Sequence, residues 1–199
     1  MSLDQRQRYL FYNLVRCCIE KKGPVGSKIL AKKIGNKLSP PSLRIYLRKI
    51  VEYGYLENIG DVGRLPTDKG WYYYLKNYKL KPEIKLSGIF DLNLISELTK
   101  NIAFIFENEL IVKGLKNALE ISEKEVIEDL FNLVENLEKI IENLENGLNI
   151  LIGEKLLESK TKKLSILAYK NKNRIIGFLG PKINYYHTHL IFFKKLKND

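Results

Sequence analysis

Between Ser27 and Arg64 the apolar positions recur with two different periods, and the change of period marks a change of element. Leu43, Leu47, Ile50 and Val51 are three and four apart, which predicts a helix with one apolar face. Ser39-Pro40-Pro41-Ser42 opens it: the Ser39 hydroxyl can accept a bond from an orphan first-turn amide, and proline is tolerated there. Gly54 follows the last periodic residues, where a C-terminal cap is expected. Upstream, Ser27 to Ile34 predicts a shorter helix with Ile29, Leu30 and Ile34 inward and Lys28, Lys32 and Lys33 outward. Gly35-Asn36-Lys37-Leu38 is the turn between them. Tyr55 to Ile59 then reads as a strand, Gly60-Asp61-Val62-Gly63 as a tight turn and Arg64-Leu65 as the returning strand. Thr67 caps a short helix to Lys76 that carries Trp71, Tyr72 and Tyr74. A first helix over Asp4 to Glu20, with Leu10, Phe11, Leu14, Val15, Cys17 and Cys18 on its apolar side, packs beneath. The pattern is a helix-turn-helix followed by a hairpin wing.

From Gly88 the pattern changes. Asp91 to Leu119 predicts mainly helix with a break near Gly114. Ser122 to Asn146 predicts one long helix, opened by Ser122 and Glu125 as a capping box. In it Val126, Leu130, Leu133, Leu137, Ile140 and Leu144 step by four and three. Ile127, Val134 and Ile141 broaden that stripe, which favours a helix packed on a core over a coiled-coil zipper. Three β-like runs follow, 149–152, 164–169 and 174–179, the last two joined by Lys170-Asn171-Lys172-Asn173. A final helix is expected from Tyr185 to Lys197, with Leu190, Phe193 and Leu196 on one side. A small sheet with helices against it is an α+β arrangement. The expected organisation is a winged-helix domain over 1–78, a basic linker over 79–90 and an α+β domain over 91–199.

Charge divides the chain at the same place. From Met1 to Leu86 there are 18 Lys and Arg against 7 Asp and Glu; from Ser87 to Asp199 there are 16 against 16. The whole formal excess of +11 therefore falls on the first half. A basic domain beside a neutral one is the electrostatic footprint of nucleic-acid binding. Codon bias toward lysine would load both halves alike. No apolar run reaches the roughly 20 residues that span a bilayer, and no secretory h-region is visible. Cys17 and Cys18, adjacent on a helix, read as core filler in a reduced compartment, so a cytoplasmic protein is expected.

The candidate chemistry is that of duplex recognition. Outward side chains of the second helix, Ser42, Arg44, Ile45, Arg48 and Lys49, with Tyr46 beside them, are candidates to reach base edges in a major groove. Arg44 or Arg48 can take a guanine through two parallel bonds; Ile45 can touch a thymine methyl. Ser39 stands at the start of the same helix. Ser27 and Lys28 suit phosphate contacts, and Arg64 and Lys69 are placed to reach the backbone or minor groove beside the wing. His187 and His189 flank Thr188 and read as surface histidines rather than metal ligands. No phosphate-binding loop, dinucleotide fingerprint or nucleophile elbow is present, so neither an enzyme nor a cofactor is expected.

Several separate blocks carry a resemblance. Pro24-Val25-Gly26-Ser27-Lys28, Leu38-Ser39-Pro40, Leu43-Arg44, Gly54-Tyr55-Leu56 and Gly63 to Gly70 resemble the N-terminal domain of the HrcA heat-inducible transcription repressors. Val112 to Asn117, Ile152-Gly153-Glu154, Ile175 to Pro181 and Tyr186 are similar to the C-terminal region of that family. Ile45 and Tyr46 stand where the family usually carries Asn and an acidic residue, and the wing is one residue shorter. The chain also lacks the family's inserted middle segment. The resemblance implies a reduced GAF-like α+β domain that builds a homodimer. It further implies repression of chaperone genes from an inverted-repeat operator in double-stranded DNA, and regulation by the GroE chaperonin. The alternative is a ligand-responsive winged-helix regulator of another regulon. A third reading, an enzyme or RNA-binding protein on the same scaffold, finds no supporting constellation.

Overall fold

The computed structural model describes residues 2–77, 91–121 and 123–183, together with His189 and Phe193. The chain separates into two compact units, Met1–Tyr78 and Lys79–Asp199. The expected linker, 79–90, lies outside the described residues.

In the first unit, α1 (Gln5–Lys21) is opened by a reciprocal cap: Asp4 accepts from the Gln7 amide at 2.7 Å and the Gln7 side chain accepts from the Asp4 amide at 3.0 Å. It buries Leu10, Phe11, Leu14, Val15, Cys17, Cys18 and Ile19. Next, α2 (Ser27–Lys33) buries Ser27, Leu30 and Ala31, with Ile34 buried just beyond it. Ile29 was expected inward and instead is 39% exposed. Leu30 and Ile34 are buried as expected; the full stripe is Ser27, Leu30, Ala31 and Ile34, whose first place is polar, so hydrophobicity alone picks Ile29 in place of Ser27.

The third helix, α3 (Pro40–Glu52), buries Leu43, Leu47 and Ile50. Gly54 ends it at φ +74°, its amide donating to Val51 O at 2.8 Å and the Tyr55 amide to Ile50 O at 3.1 Å. The hairpin β1 (Leu56–Ile59) and β2 (Gly63–Pro66) pairs Leu56 with Pro66 and Ile59 with Gly63. It docks through a bridge between Val25 and Arg64, with N–H···O distances of 3.0 Å in both directions. Gly63 makes this possible, because a Cβ there would lie 2.4 Å from the Val25 carbonyl carbon. Thr67 then accepts from the Gly70 amide at 3.1 Å and donates to Gly54 O at 2.6 Å, tying α4 (Asp68–Lys76) to the end of α3. Trp71, Tyr74 and Leu75 are buried, and the Tyr73 ring lies 5.0 Å from Tyr55 and 5.8 Å from Phe11.

The second unit differs from expectation at its start. Only Leu92–Thr99 is α-helix (α5); β3 (Ile102–Phe106) and β4 (Leu110–Lys113) follow, then a 3-10 turn over Leu115–Glu120. The expected long helix is two, α6 (Lys124–Glu135) and α7 (Leu137–Glu142), interrupted at Asn136. Ser122 lies outside the described residues, and the residue at the α6 N-cap is Glu123, without a side-chain cap bond. Strands β5 (Gly147–Ile152), β6 (Leu164–Asn171) and β7 (Arg174–Pro181) complete an antiparallel five-stranded sheet in the order β4-β3-β7-β6-β5. The sheet thus has two strands more than the three β-like runs.

The stripe Val126, Leu130, Leu133, Leu137, Ile140 and Leu144 is buried against Ile102, Phe104, Leu164, Ile166, Ile175 and Leu179. The helices therefore pack on a sheet, as the broad stripe predicts. Gly177 pairs with Phe104 across β3 and β7, where a Cβ would lie 2.2 Å from the ring. Alternation sends Tyr169 and Phe178 to the other face, where the Phe193 ring lies 6.2 Å and 5.3 Å from them. His189 and Phe193 are helical; the rest of the expected helix from Tyr185, including Tyr186, Leu190 and Leu196, lies outside the described residues.

Candidate nucleic-acid interface

The buried residues of α3 leave Ile45 at the crest of its outer surface, 62% exposed. Helical spacing puts Arg44 and Arg48 on one flank of that crest and Ser42, Tyr46 and Lys49 on the other. Arg44, Arg48 and Lys49 are exposed; Ser42 and Tyr46 are half-buried. Ser39 is exposed at the N-cap; its oxygen accepts from the Ser42 amide at 3.3 Å and lies 2.9 Å from Ser42 Oγ. That bond fixes the first turn and leaves both hydroxyls at the surface end of the helix.

On the second flank Tyr46 is held by Arg6, whose Nη1 donates to the Tyr46 hydroxyl at 2.8 Å while the guanidinium lies 5.4 Å from the ring centroid. Arg6 belongs to the first turn of α1, 40 residues away, and no local pattern marks it. With Asp4, Gln5, Tyr9 and Lys37 these two line an open depression beside α3.

Arg64 is half-buried on β2, paired with Asn58 across the hairpin. Its Nε is buried and meets no hydrogen-bond partner among the described residues. Burial lowers its pKa, and the Arg44 and Arg48 charges push the same way. Val62, 60% exposed, crowns the hairpin turn.

Two expected site residues, Ser27 and Lys69, and the expected surface histidine His189 have other surroundings than the sequence suggests. Ser27 is 7% exposed, because it occupies the first buried position of α2, so its hydroxyl is withdrawn from any phosphate. Lys69 is exposed but already engaged within the unit: its Nζ donates to Tyr53 O at 2.7 Å and lies 4.5 Å from the Tyr55 ring, at the C-terminus of α3. His189 is 2% exposed, not at the surface; its Nε2 is 2.8 Å from Asn101 Nδ2 and its ring packs against Phe178 at 4.4 Å. His187 lies outside the described residues. Lys28 is exposed, as expected.

Among the described residues no group of three His, Cys, Asp or Glu side chains converges as a metal site would. Cys17 and Cys18 are free and buried, and burial pushes the Cys18 thiol up to about 12. Both are packing residues, not nucleophiles. No helix of the described residues is long and apolar enough to cross a membrane.

A family model described as the HrcA protein C terminal domain matches residues 75–188. The chain belongs to the HrcA family. Among curated relatives, the heat-inducible transcription repressor HrcA of Thermoanaerobacter sp. (strain X514) is 36% identical over 83 residues, 39% of this chain and 24% of the relative. HrcA of Desulforudis audaxviator is 29% identical over 138 residues, 69% of this chain and 34% of the relative. The match thus spans about a quarter of the first of these relatives and about a third of the second. A solved crystal structure, described as that of a hypothetical protein, shares the fold with a TM-score of 0.79 at 17% identity, over 99% of this chain and 97% of that one.

Proposed function

We propose that this chain is a sequence-specific DNA-binding repressor whose first unit is a winged helix-turn-helix. In that reading α3 enters the major groove and β1–β2 is the wing. The observation that carries it is the outer surface of α3. Ile45 is exposed between Arg44, Arg48 and Lys49, over a buried seam of Leu43, Leu47 and Ile50, in the half that holds all the positive excess. Cations there release counterions from the duplex and give affinity without sequence information. Ile45 faces the groove floor, where it meets a thymine methyl, with Ser42 and Lys49 on the base edges beside it.

Membership of the HrcA family supports chaperone genes as the target, because the relatives are named heat-inducible transcription repressors. The second unit, in this reading, is a reduced GAF-like domain that couples two copies. A two-fold dimer then calls for an inverted repeat. Contact with the GroE chaperonin is part of the same proposal and rests on the family alone.

The test is fluorescence anisotropy of the full chain against duplexes taken from upstream of its own and neighbouring genes, with shuffled duplexes as reference. Saturable binding to one inverted repeat, weakened by salt, is the expected result. Ile45→Ala should then cost roughly 1–3 kcal/mol at the repeat and relax one base position. A monomer in sedimentation that ignores every duplex at low salt overturns the reading.

A further inference from the structure

The Tyr46 hydroxyl is engaged on one side only. It accepts from Arg6 Nη1 at 2.8 Å, so its own hydrogen is directed away from that guanidinium, and it donates to no acceptor among the described residues. The guanidinium also lies 5.4 Å from the Tyr46 ring centroid, which holds ring and fork together as a unit. Both are within reach from outside: Arg6 is exposed and Tyr46 half-buried. With Asp4, Gln5, Tyr9 and Lys37 they line one open depression of about 710 Å³. Lys37, in the turn between α2 and α3, is exposed, and neither it nor Arg6 forms an ion pair among the described residues. Asp4 brings a single carboxylate to that lining, and its Oδ1 is taken by the Gln7 amide at 2.7 Å. The depression therefore offers two cations and a free hydroxyl donor against one committed acid.

Such a set receives an anion with several acceptor oxygens. The Arg6 charge polarises the Tyr46 O–H and strengthens it as a donor. The remaining N–H groups of the guanidinium can reach a second oxygen of the same anion, and Lys37 adds a point charge. An open depression buries little of a free small anion, whose lost translational freedom then has few contacts to offset it. A phosphodiester in a strand already held along its length carries no such cost. The place agrees with that occupant. Tyr46 stands on a flank of α3 beside the Ile45 crest, and if the crest meets the groove floor the flank meets a groove wall, which is a phosphate backbone.

We propose that Arg6, Tyr46 and Lys37 form a strand clamp beside α3, in which one backbone phosphate of the duplex accepts from the Arg6 guanidinium and the Tyr46 hydroxyl while Lys37 neutralises the same strand. The clamp rests on the DNA-binding reading and extends it. It brings the first turn of α1 into the interface and takes Tyr46 out of base readout. Arg6 acts there twice, on the phosphate itself and as the group that fixes the Tyr46 ring.

The experiment measures duplex binding by the full chain in fluorescence anisotropy across a range of salt, with thermal unfolding of each variant alongside. Arg6→Gln should flatten the plot of log binding constant against log salt by about 0.9 and weaken cognate and shuffled duplexes by the same factor. Tyr46→Phe keeps the ring and loses the O–H; it should weaken both duplexes about three- to tenfold with the slope unchanged. Arg8→Gln removes an exposed arginine of the same helix, outside the depression, and should alter neither slope nor affinity. Lys37→Gln, at an exposed turn position, should flatten the same line and keeps the test valid should Arg6→Gln fail to fold.

A second arm walks a single uncharged methylphosphonate along the bound duplex. At one position per half-site wild type should lose affinity and the Arg6→Gln protein should not. Wild-type slope and affinity in the Arg6, Tyr46 and Lys37 variants overturn the clamp and leave the DNA reading standing. A lower melting temperature for Arg6→Gln with an unaltered slope reduces the pair to a tie between α1 and α3, and overturns the clamp as well. A wild-type chain that binds no duplex at low salt ends the DNA reading and the clamp with it.

Discussion

The Asp129 carboxylate is 3% exposed and accepts four hydrogen bonds: from Ser159 Oγ at 2.8 Å, Thr161 Oγ1 at 2.7 Å, and the amides of Lys160 and Thr161 at 2.9 Å each. It ties the loop between β5 and β6 to α6. Burial pushes its pKa up, but the four donors outweigh that, and the group titrates below its ordinary 3.8. A carboxyl depressed in the native state contributes stability that is full above its unfolded-state pKa and is lost as pH falls through the native one. Asp129→Asn puts an NH₂ against donors, and should lower stability near neutral pH by roughly 1.5–3 kcal/mol, read from urea midpoints. The gap between wild type and variant should hold from neutral down to the ordinary carboxylate range and narrow below it. A gap that widens in acid would mean that the charged form is not the one favoured. The sequence carries a trace of this anchor: Asp129 lies three residues after Val126 and four before Leu133, on the apolar stripe, yet its acidic neighbours make it look solvated. Arg6 was not legible, because its meaning depends on Tyr46, and only folding brings them together.

At the scale of elements, α1 to α4 and the hairpin follow from the pattern because each exposes one face and buries the other. Caps at Asp4, Ser39 and Thr67 and the positive φ of Gly54 punctuate them. The strand β3 does not follow. Ile102 to Phe106 is uniformly apolar because β3 is a central strand between β4 and β7, and a run without alternation reads equally as buried helix. The break between α6 and α7 escapes for another reason. The apolar steps continue through it, while the Asn136 side chain donates to Asn132 O at 2.8 Å and competes with the backbone there. Where the hairpin meets the rest of its unit, a single atom tests the packing. Gly63→Ala would drive a methyl into the Val25 backbone, and the bridge to Arg64 must open to admit it. The expected loss is roughly 1–3 kcal/mol in a denaturant titration, with the Arg64 Nε environment altered. An unchanged midpoint would mean that the hairpin is not seated on Val25 in solution.

For the whole molecule the decisive quantity is where the charge lies. Residues from Met1 to Leu86 carry all of the +11, while those from Ser87 to Asp199 sum to zero. In the proposed DNA-binding reading, the field that draws a duplex toward the chain comes from one half, and the effect of removing a charge depends on which half loses it. Lys28 is exposed on α2, and Lys155 is exposed in the second unit. Replacing either by Gln lowers the net charge by the same amount, so a field set by net charge alone would treat them alike. A phosphate contact would not. The logarithm of the binding constant falls linearly with the logarithm of salt concentration, by about 0.9 for each phosphate neutralised. Lys28→Gln should therefore flatten that line by about one such unit and weaken shuffled and cognate duplexes by the same factor. Lys155→Gln should leave slope and affinity where they were. Equal slopes for the two variants would reduce the first unit's charge to a solvated surface, and a slope altered by Lys155→Gln alone would move the interface to the other half of the chain.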